Sequence, residues 1–247
     1  MSFNSFSEGL ALMWTNRRGA YINTNGEIVI EGDYSPIGDF HGGIAPIRRN
    51  SRLGFIDKLG NVVVSPCYQD VYHVTYSDGL FVVVNNDKWG IIDKTGREIV
   101  VPYYDYIGSI NSLENTELGL IKVQKGDLYG YVDKSGVEAV PIKYERLSSF
   151  SEGLVRFRRN GKYGFANKYG EEILPPVYEN VSSFTNRLAA FSINGKWGLI
   201  DINGKQVIPG RHQGIFNFDN GLIATKLGGK WYLITRSKIH GLLVLTA

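Results

Sequence analysis

The chain has 247 residues, 43% of them hydrophobic and 13% aromatic, with 27 basic and 24 acidic side chains for a net charge of +3. This length allows one large domain or two ordinary ones. The near balance of charge argues against a nucleic-acid partner, and a single cysteine, Cys67, excludes an internal disulfide. No run approaches the ~18 apolar residues that a membrane helix needs. The opening "MSFNSFSEGLALMW" lacks a basic region followed by an apolar one, so a cytoplasmic location without membrane attachment is expected.

Read from the N-terminus, the chain repeats itself. A Gly with a second Gly six residues on occurs at Gly54/Gly60, Gly90/Gly96, Gly130/Gly136, Gly164/Gly170 and Gly198/Gly204; Ala20 holds the first position before Gly26, and Tyr232 holds it in the last copy. The intervals between these anchors are 34, 36, 40, 34, 34 and 34 residues. Ten positions before each anchor stands an aliphatic residue: Leu10, Ile44, Leu80, Leu120, Leu154, Leu188 and Leu222. Four positions before that stands an aromatic (Phe6, Phe40, Tyr76, Phe150, Phe184 and Phe218), with Thr116 in the fourth copy. A further landmark follows the second Gly: Tyr34, Tyr68, Tyr104, Tyr144 and Tyr178, then His212. Seven copies of one module, near residues 6–39, 40–75, 76–115, 116–149, 150–183, 184–217 and 218–247, leave no room for a second domain.

The fifth copy serves as the template. Leu154–Phe157 suits a strand, and Asn160-Gly161 supplies the positive φ of a tight hairpin. Lys162–Asn167 is a second strand, closed by a turn at Gly170. Residues 171–174 form a third strand that Pro175-Pro176 is expected to stop, because proline cannot donate to a ladder. The following "VYENVSSF" spaces Tyr178, Val181 and Phe184 by three, which predicts a turn-rich connection. Asp57, Asp93, Asp133 and Asp201 recur three residues before the second Gly, as expected of side chains that satisfy turn N–H groups. The aromatics before the anchor, Trp89, Tyr129, Tyr163, Trp197 and Trp231, are expected to be buried. The glycine after each one points to close approach of a neighbouring backbone. No module can cover both faces of its strands alone, so copies must stack.

The pattern "F-x-E-G-L … G-K-W-G-x-I-D-x-x-G-x-x-V-I-P-x-x-Y", which spans nearly the whole chain, resembles the WG-repeat (KWG-repeat) family of bacterial proteins. The resemblance implies a repetitive β architecture, a binding or scaffold role and no shared catalytic chemistry. The expected fold is all-β: seven three-stranded repeats of about 34 residues in one array. A closed, β-propeller-like ring is favoured because the apolar end "HGLLVLTA" needs a pairing partner, such as the first module. An open β-solenoid or spiral is the alternative.

No phosphate loop, nucleophile elbow or metal-binding motif is present. The four histidines, His41, His73, His212 and His240, hold different module positions, and His212 reads as a packing substitute for tyrosine. Cys67 reads as a buried structural thiol. No catalytic residue, cofactor or metal is expected. Differences between modules are more informative. Arg17, Arg18, Arg48, Arg49, Arg52, Arg156, Arg158, Arg159 and Lys162 lie at or beside the first hairpin of copies one, two and five. They are expected to form a basic rim that attracts an acidic protein partner. The connection before the fourth copy carries an insertion at 108–117, which suits a surface contact. The reading is a non-enzymatic protein binder, with an immunity protein that neutralises a bacterial toxin or effector as its specific form. The alternatives are a carbohydrate-binding module with exposed aromatics and an enzyme with an unrecognised site.

Overall fold

Two kinds of tight turn recur among the described residues. At the first, Asn160 and Gly161 take φ values of 50° and 74°, and Arg159 stands directly opposite Lys162. This is the two-residue hairpin that Asn-Gly favours; Asn194-Gly195 and Asn86-Asp87 adopt it as well. At the second, the Asp201 carboxylate accepts hydrogen bonds from the N–H groups of Asn203 and Lys205, both at 2.9 Å. Asp57, Asp93 and Asp133 do the same, and Asn167 substitutes in the fifth copy. Gly60, Gly96, Gly136, Gly170 and Gly204 close these turns at φ between 77° and 85°. The repeated Asp residues are therefore turn formers.

The structure is a computed structural model that describes residues 2–14, 19–72, 79–108, 118–217, 222–235 and 245–246. Every described element is a β-strand. Among the described residues the strands form seven four-stranded antiparallel sheets, each a meander of four consecutive strands. The fifth sheet comprises Arg146–Ser151, Leu154–Arg159, Lys162–Asn167 and Glu172–Tyr178. The sixth comprises Asn180–Val181, Leu188–Ile193, Lys196–Asp201 and Gln206–His212. The seventh comprises Gly214–Asn217, Leu222–Leu227, Lys230–Thr235 and Leu245–Thr246.

The expectation of three strands per module falls one short. The connection after each outer strand supplies the leading strand of the next sheet: Asn180–Val181 pairs with Phe191 and Ser192. The outer strand also does not stop at Pro175-Pro176 but runs through to Tyr178. Its register to the neighbouring strand jumps from Phe165↔Leu174 to Tyr163↔Tyr178, so the prolines sit in a bulge on the sheet's edge, where no ladder donor is needed. The anchor glycine makes room for this bulge. A Cβ on Gly164 would stand 2.6 Å from the Leu174 carbonyl oxygen and 2.9 Å from the Pro176 nitrogen; Gly90, Gly130 and Gly198 face the same carbonyl position at 2.6 Å. The close approach read from the sequence is thus a bulged edge folded over the glycine. The C-terminal Leu245–Thr246 pairs with Tyr232 and Leu233 of its own sheet, not with the first module.

The chain divides into two compact units. The first contains residues 1–110, 121–126 and 132–137; the second contains 111–120, 127–131 and 138–247. In both, apolar clusters bridge successive sheets. In the first unit, Leu12, Tyr21 and Ile30 pack with Phe40, Ala45 and Ile47 of the next sheet, and Ile44, Phe55 and Val64 with Phe81, Val83 and Ile92. In the second, Phe165, Leu174 and Tyr178 pack with Phe184, Phe191 and Ile200. The landmark residues Tyr34, Tyr68, Tyr104, Tyr144, Tyr178 and His212 are all buried. Polar staples reinforce the stack: the Ser151 hydroxyl donates to the Phe184 carbonyl at 2.7 Å, and the Glu152 carboxylate accepts from the Arg187 N–H at 2.7 Å. Ser7 and Glu8 repeat both bonds, to the Phe40 carbonyl and from the Gly43 N–H.

Two burial expectations are corrected. Trp89, Tyr129, Tyr163 and Trp197 are only half-buried, and Trp231 is exposed. Trp89, Tyr163 and Trp197 sit on the strand beside the bulge, and the residue after the anchor glycine (Tyr131, Phe165, Leu199) fills the core instead. Cys67 is exposed, because alternation along Val62–Tyr68 turns Tyr68 inward and its predecessor outward.

Candidate protein-binding surface

The arginine-bearing hairpins sit where the module pattern places them, at the turn between the second and third strands. Arg48, Arg49 and Arg52 belong to the first unit, and Arg158, Arg159 and Lys162 to the second. Arg17 and Arg18 lie outside the described residues, as does the insertion from residue 109 to 117.

The charge of the fifth copy's hairpin is already matched, and so is one arginine of the second copy's three. The Arg49 guanidinium pairs with Asp33 and lies 5.9 Å from the Tyr34 ring centroid. Arg159 grips Glu172 with two nitrogens, one bond measuring 2.9 Å, and Lys143 adds a third contact at 3.2 Å. Burial alone would push the Glu172 carboxyl up, but the hydrogen bonds from Arg159 and Lys143 outweigh it and hold the group below its ordinary range. Arg158 stands 3.8 Å from Glu145, and Lys162 stands 3.6 Å from Glu179. Arg156 is part of the stacking: its guanidinium donates to the Val181 carbonyl at 2.8 Å. Arg48 and Arg52 differ. Both are exposed, and among the described residues neither makes an ion pair; Arg52 reaches only the Cys67 carbonyl and the Asn85 amide oxygen, both at 3.4 Å. Of Arg48, Arg49, Arg52, Arg158, Arg159 and Lys162, only Arg48 and Arg52 therefore lack a carboxylate partner among the described residues.

The residues that neutralise or brace these hairpins went unread in the sequence. Gln69, Asp105, Glu145, Glu179 and Gln213 each follow the buried landmark residue, and each accepts a hydrogen bond from a backbone N–H in the next hairpin turn. The bond to Asp105 from Gly126 measures 2.6 Å, and those to Glu179 and Gln213 measure 2.9 Å. The signal was present: an acid or amide directly after Tyr68, Tyr104, Tyr144, Tyr178 and His212.

Among the described residues, no group of three His, Cys, Asp or Glu side chains could hold a metal ion. No helix of those residues is long and apolar enough to cross a membrane. His212 is buried, with Nδ1 2.5 Å from the Thr225 hydroxyl, so it does take the packing place of the missing tyrosine.

Comparison with solved structures returns weak likenesses. Hsv2 of Kluyveromyces lactis is 11% identical with a TM-score of 0.36, covering 81% of this chain and 74% of that one. PorZ, titled a bacterial surface component of the type-IX secretion system of Porphyromonas gingivalis, is 10% identical with a TM-score of 0.36, covering 99% of this chain and 37% of that one. Neither carries an argument about this protein. No curated protein matches. The family model for the "WG containing repeat" matches six times in tandem, at residues 20–52, 54–89, 89–129, 129–163, 163–197 and 197–231. Its copies begin within one residue of the glycine anchors and of their Ala20 counterpart. With sheets, turns and glycines recurring in that phase, the chain belongs to the WG-containing repeat family.

Proposed function

We propose that this protein is a non-enzymatic binder of another protein, and that its partner presents an acidic surface to the second hairpin. One observation carries the reading: on the arginine-rich hairpins of the second and fifth copies, Arg49, Arg158, Arg159 and Lys162 have carboxylate neighbours, whereas Arg48 and Arg52 stand exposed and, among the described residues, make no ion pair. Rigid repeat scaffolds suit recognition of a macromolecule, with the variable turns providing the contacts. In its specific form the protein is a cytoplasmic bacterial immunity protein that caps a toxin or effector, and its sheets close into a small propeller-like ring. Four strands per sheet support closure better than three would, since propeller blades are four-stranded.

The test is reversal of Arg48 and Arg52 to Glu. These exposed side chains should change stability by less than about 0.5 kcal/mol, while capture of the partner from lysate of the native host weakens by at least tenfold. Undiminished capture sinks the proposal. A carbohydrate-binding reading is favoured by one observation only: Phe216 and Trp231 are 55% and 49% exposed with ring centroids 5.6 Å apart, a surface on which a sugar ring could stack. Titration with oligosaccharides, compared with Trp231→Ala, separates the two readings. For an enzymatic reading, no group of three His, Cys, Asp or Glu side chains converges among the described residues.

A further inference from the structure

The interface between the sixth and seventh sheets departs from those before it. Between the fourth and fifth sheets, Tyr144 stacks on Phe157 with ring centroids 4.4 Å apart; between the fifth and sixth, Tyr178 lies against Phe191 at 5.4 Å. The equivalent residues at the next interface are His212 and Thr225, so both rings of the pair are replaced by smaller polar side chains. These two are buried at 6% and 1% exposure, and among the described residues Ser192 is the only other buried polar side chain. They bond to each other, and the Thr225 hydroxyl is 3.2 Å from the Gly214 carbonyl. A cavity of about 320 Å³ opens beside them, with apolar walls from Val207, Leu227, Tyr232 and Ile234.

Of the residues lining this cavity, Arg211 alone is charged. Among the described residues it makes no ion pair, and its exposed side chain adjoins the buried His212. Burial, and secondarily the positive charge of Arg211, holds His212 below its ordinary value, so the imidazole is neutral at pH 7 and leaves the cationic role to Arg211. An apolar space of this size with a few convergent polar groups is what small-molecule sites look like.

We infer that the space between the sixth and seventh sheets is a binding site for a small aromatic carboxylate, whose ring takes the place of the missing tyrosine–phenylalanine pair and whose charge meets Arg211. This site is independent of the protein-binding reading and involves none of its hairpin residues.

The test uses the full chain with naphthoate as the anionic probe and naphthalenemethanol as its neutral counterpart. Thermal shift and the His212 ring resonances are the readouts. Naphthoate should raise Tm saturably, shift the His212 signals and bind at least tenfold more tightly than naphthalenemethanol. Arg211→Gln should remove that preference while leaving the neutral probe within about twofold, because a hydrogen bond to a charged group contributes about 1.5–3 kcal/mol. The double variant His212→Tyr with Thr225→Phe should restore the aromatic pair, abolish binding of both probes and raise the Tm of the free protein. The inference is overturned if naphthoate gives no saturable response, as when another part of the chain already fills the space. Equal binding of the two probes, or binding that survives the double variant, also overturns it. Should the double variant fail to fold, the Arg211→Gln comparison decides alone.

Discussion

The fifth–sixth and sixth–seventh sheet interfaces are built on one backbone plan yet packed differently. In the first, Tyr178 and Phe191 meet within a cluster that includes Phe165, Leu174 and Phe184. In the second, His212 and Thr225 occupy those places, and the described cluster comprises Leu188, Leu199, Ile208, Ile215 and Ile223 with partly buried neighbours. Outer strand, bulge and turn are unchanged: Trp197 opposes His212 as Tyr163 opposes Tyr178. The lesson is that the strand ladders and turns set the repeat, while the side chains between sheets can be exchanged for polar ones without altering it.

This contrast can be attacked directly. Phe191→Ala should cost about 3–5 kcal/mol by leaving a cavity in a closed cluster. Thr225→Ala, its counterpart, should cost only about 1 kcal/mol for the lost hydrogen bond. Chemical denaturation measures both, and equal losses would mean that the two interfaces are packed alike. Next in size, Gly198→Ala should destabilise by about 1–3 kcal/mol, since its Cβ would press 2.6 Å from the Ile208 carbonyl oxygen. A neutral result would remove the bulge from the account of both interfaces.

Smaller effects sharpen the same comparison. His212 has a depressed pKa in the fold, so the folded state binds its proton less readily than the unfolded chain does. Its contribution is complete above the ordinary histidine value of about 6.5 and is lost as pH falls through the lower folded value. Stability measured across that window should drop for the native chain, and His212→Tyr should flatten the part of the drop that this group causes. Last, Cys67 precedes Tyr68 as Arg211 precedes His212, and both are exposed. A thiol reagent should modify Cys67 in the folded protein without shifting Tm measurably. Protection until unfolding would contradict the outward setting of that position.

Much of the architecture was legible in the residues. Asn160-Gly161 and the recurrent Asp marked the two turns, and the landmark tyrosines marked what stacking must bury. The fourth strand was not legible, because Asn180–Val181 is only two residues long and borrows its partner from the next repeat. Pro175-Pro176 read as a stop because a ladder position was assumed, whereas an edge bulge requires no donor there. The hairpin turns were legible, and the carboxylates that meet their arginines were not. Arg49, Arg158 and Arg159 meet carboxylates 13 to 16 residues away, a separation that becomes contact only through the leading and outer strands.

From the second sheet onward the joint between successive sheets is a single residue: Tyr104 ends one outer strand and Tyr106 begins the next leading strand, with Asp105 between them. Such a hinge has no slack, and Asp105 is further tied by its bonds to Gly126 and Lys88. Added length at this point would pull two ladders out of phase, whereas length added past the leading strand disturbs neither. The one long insertion in the chain follows Tyr106–Ile107 directly, so the extra residues enter just beyond a tight link of the backbone and not within it.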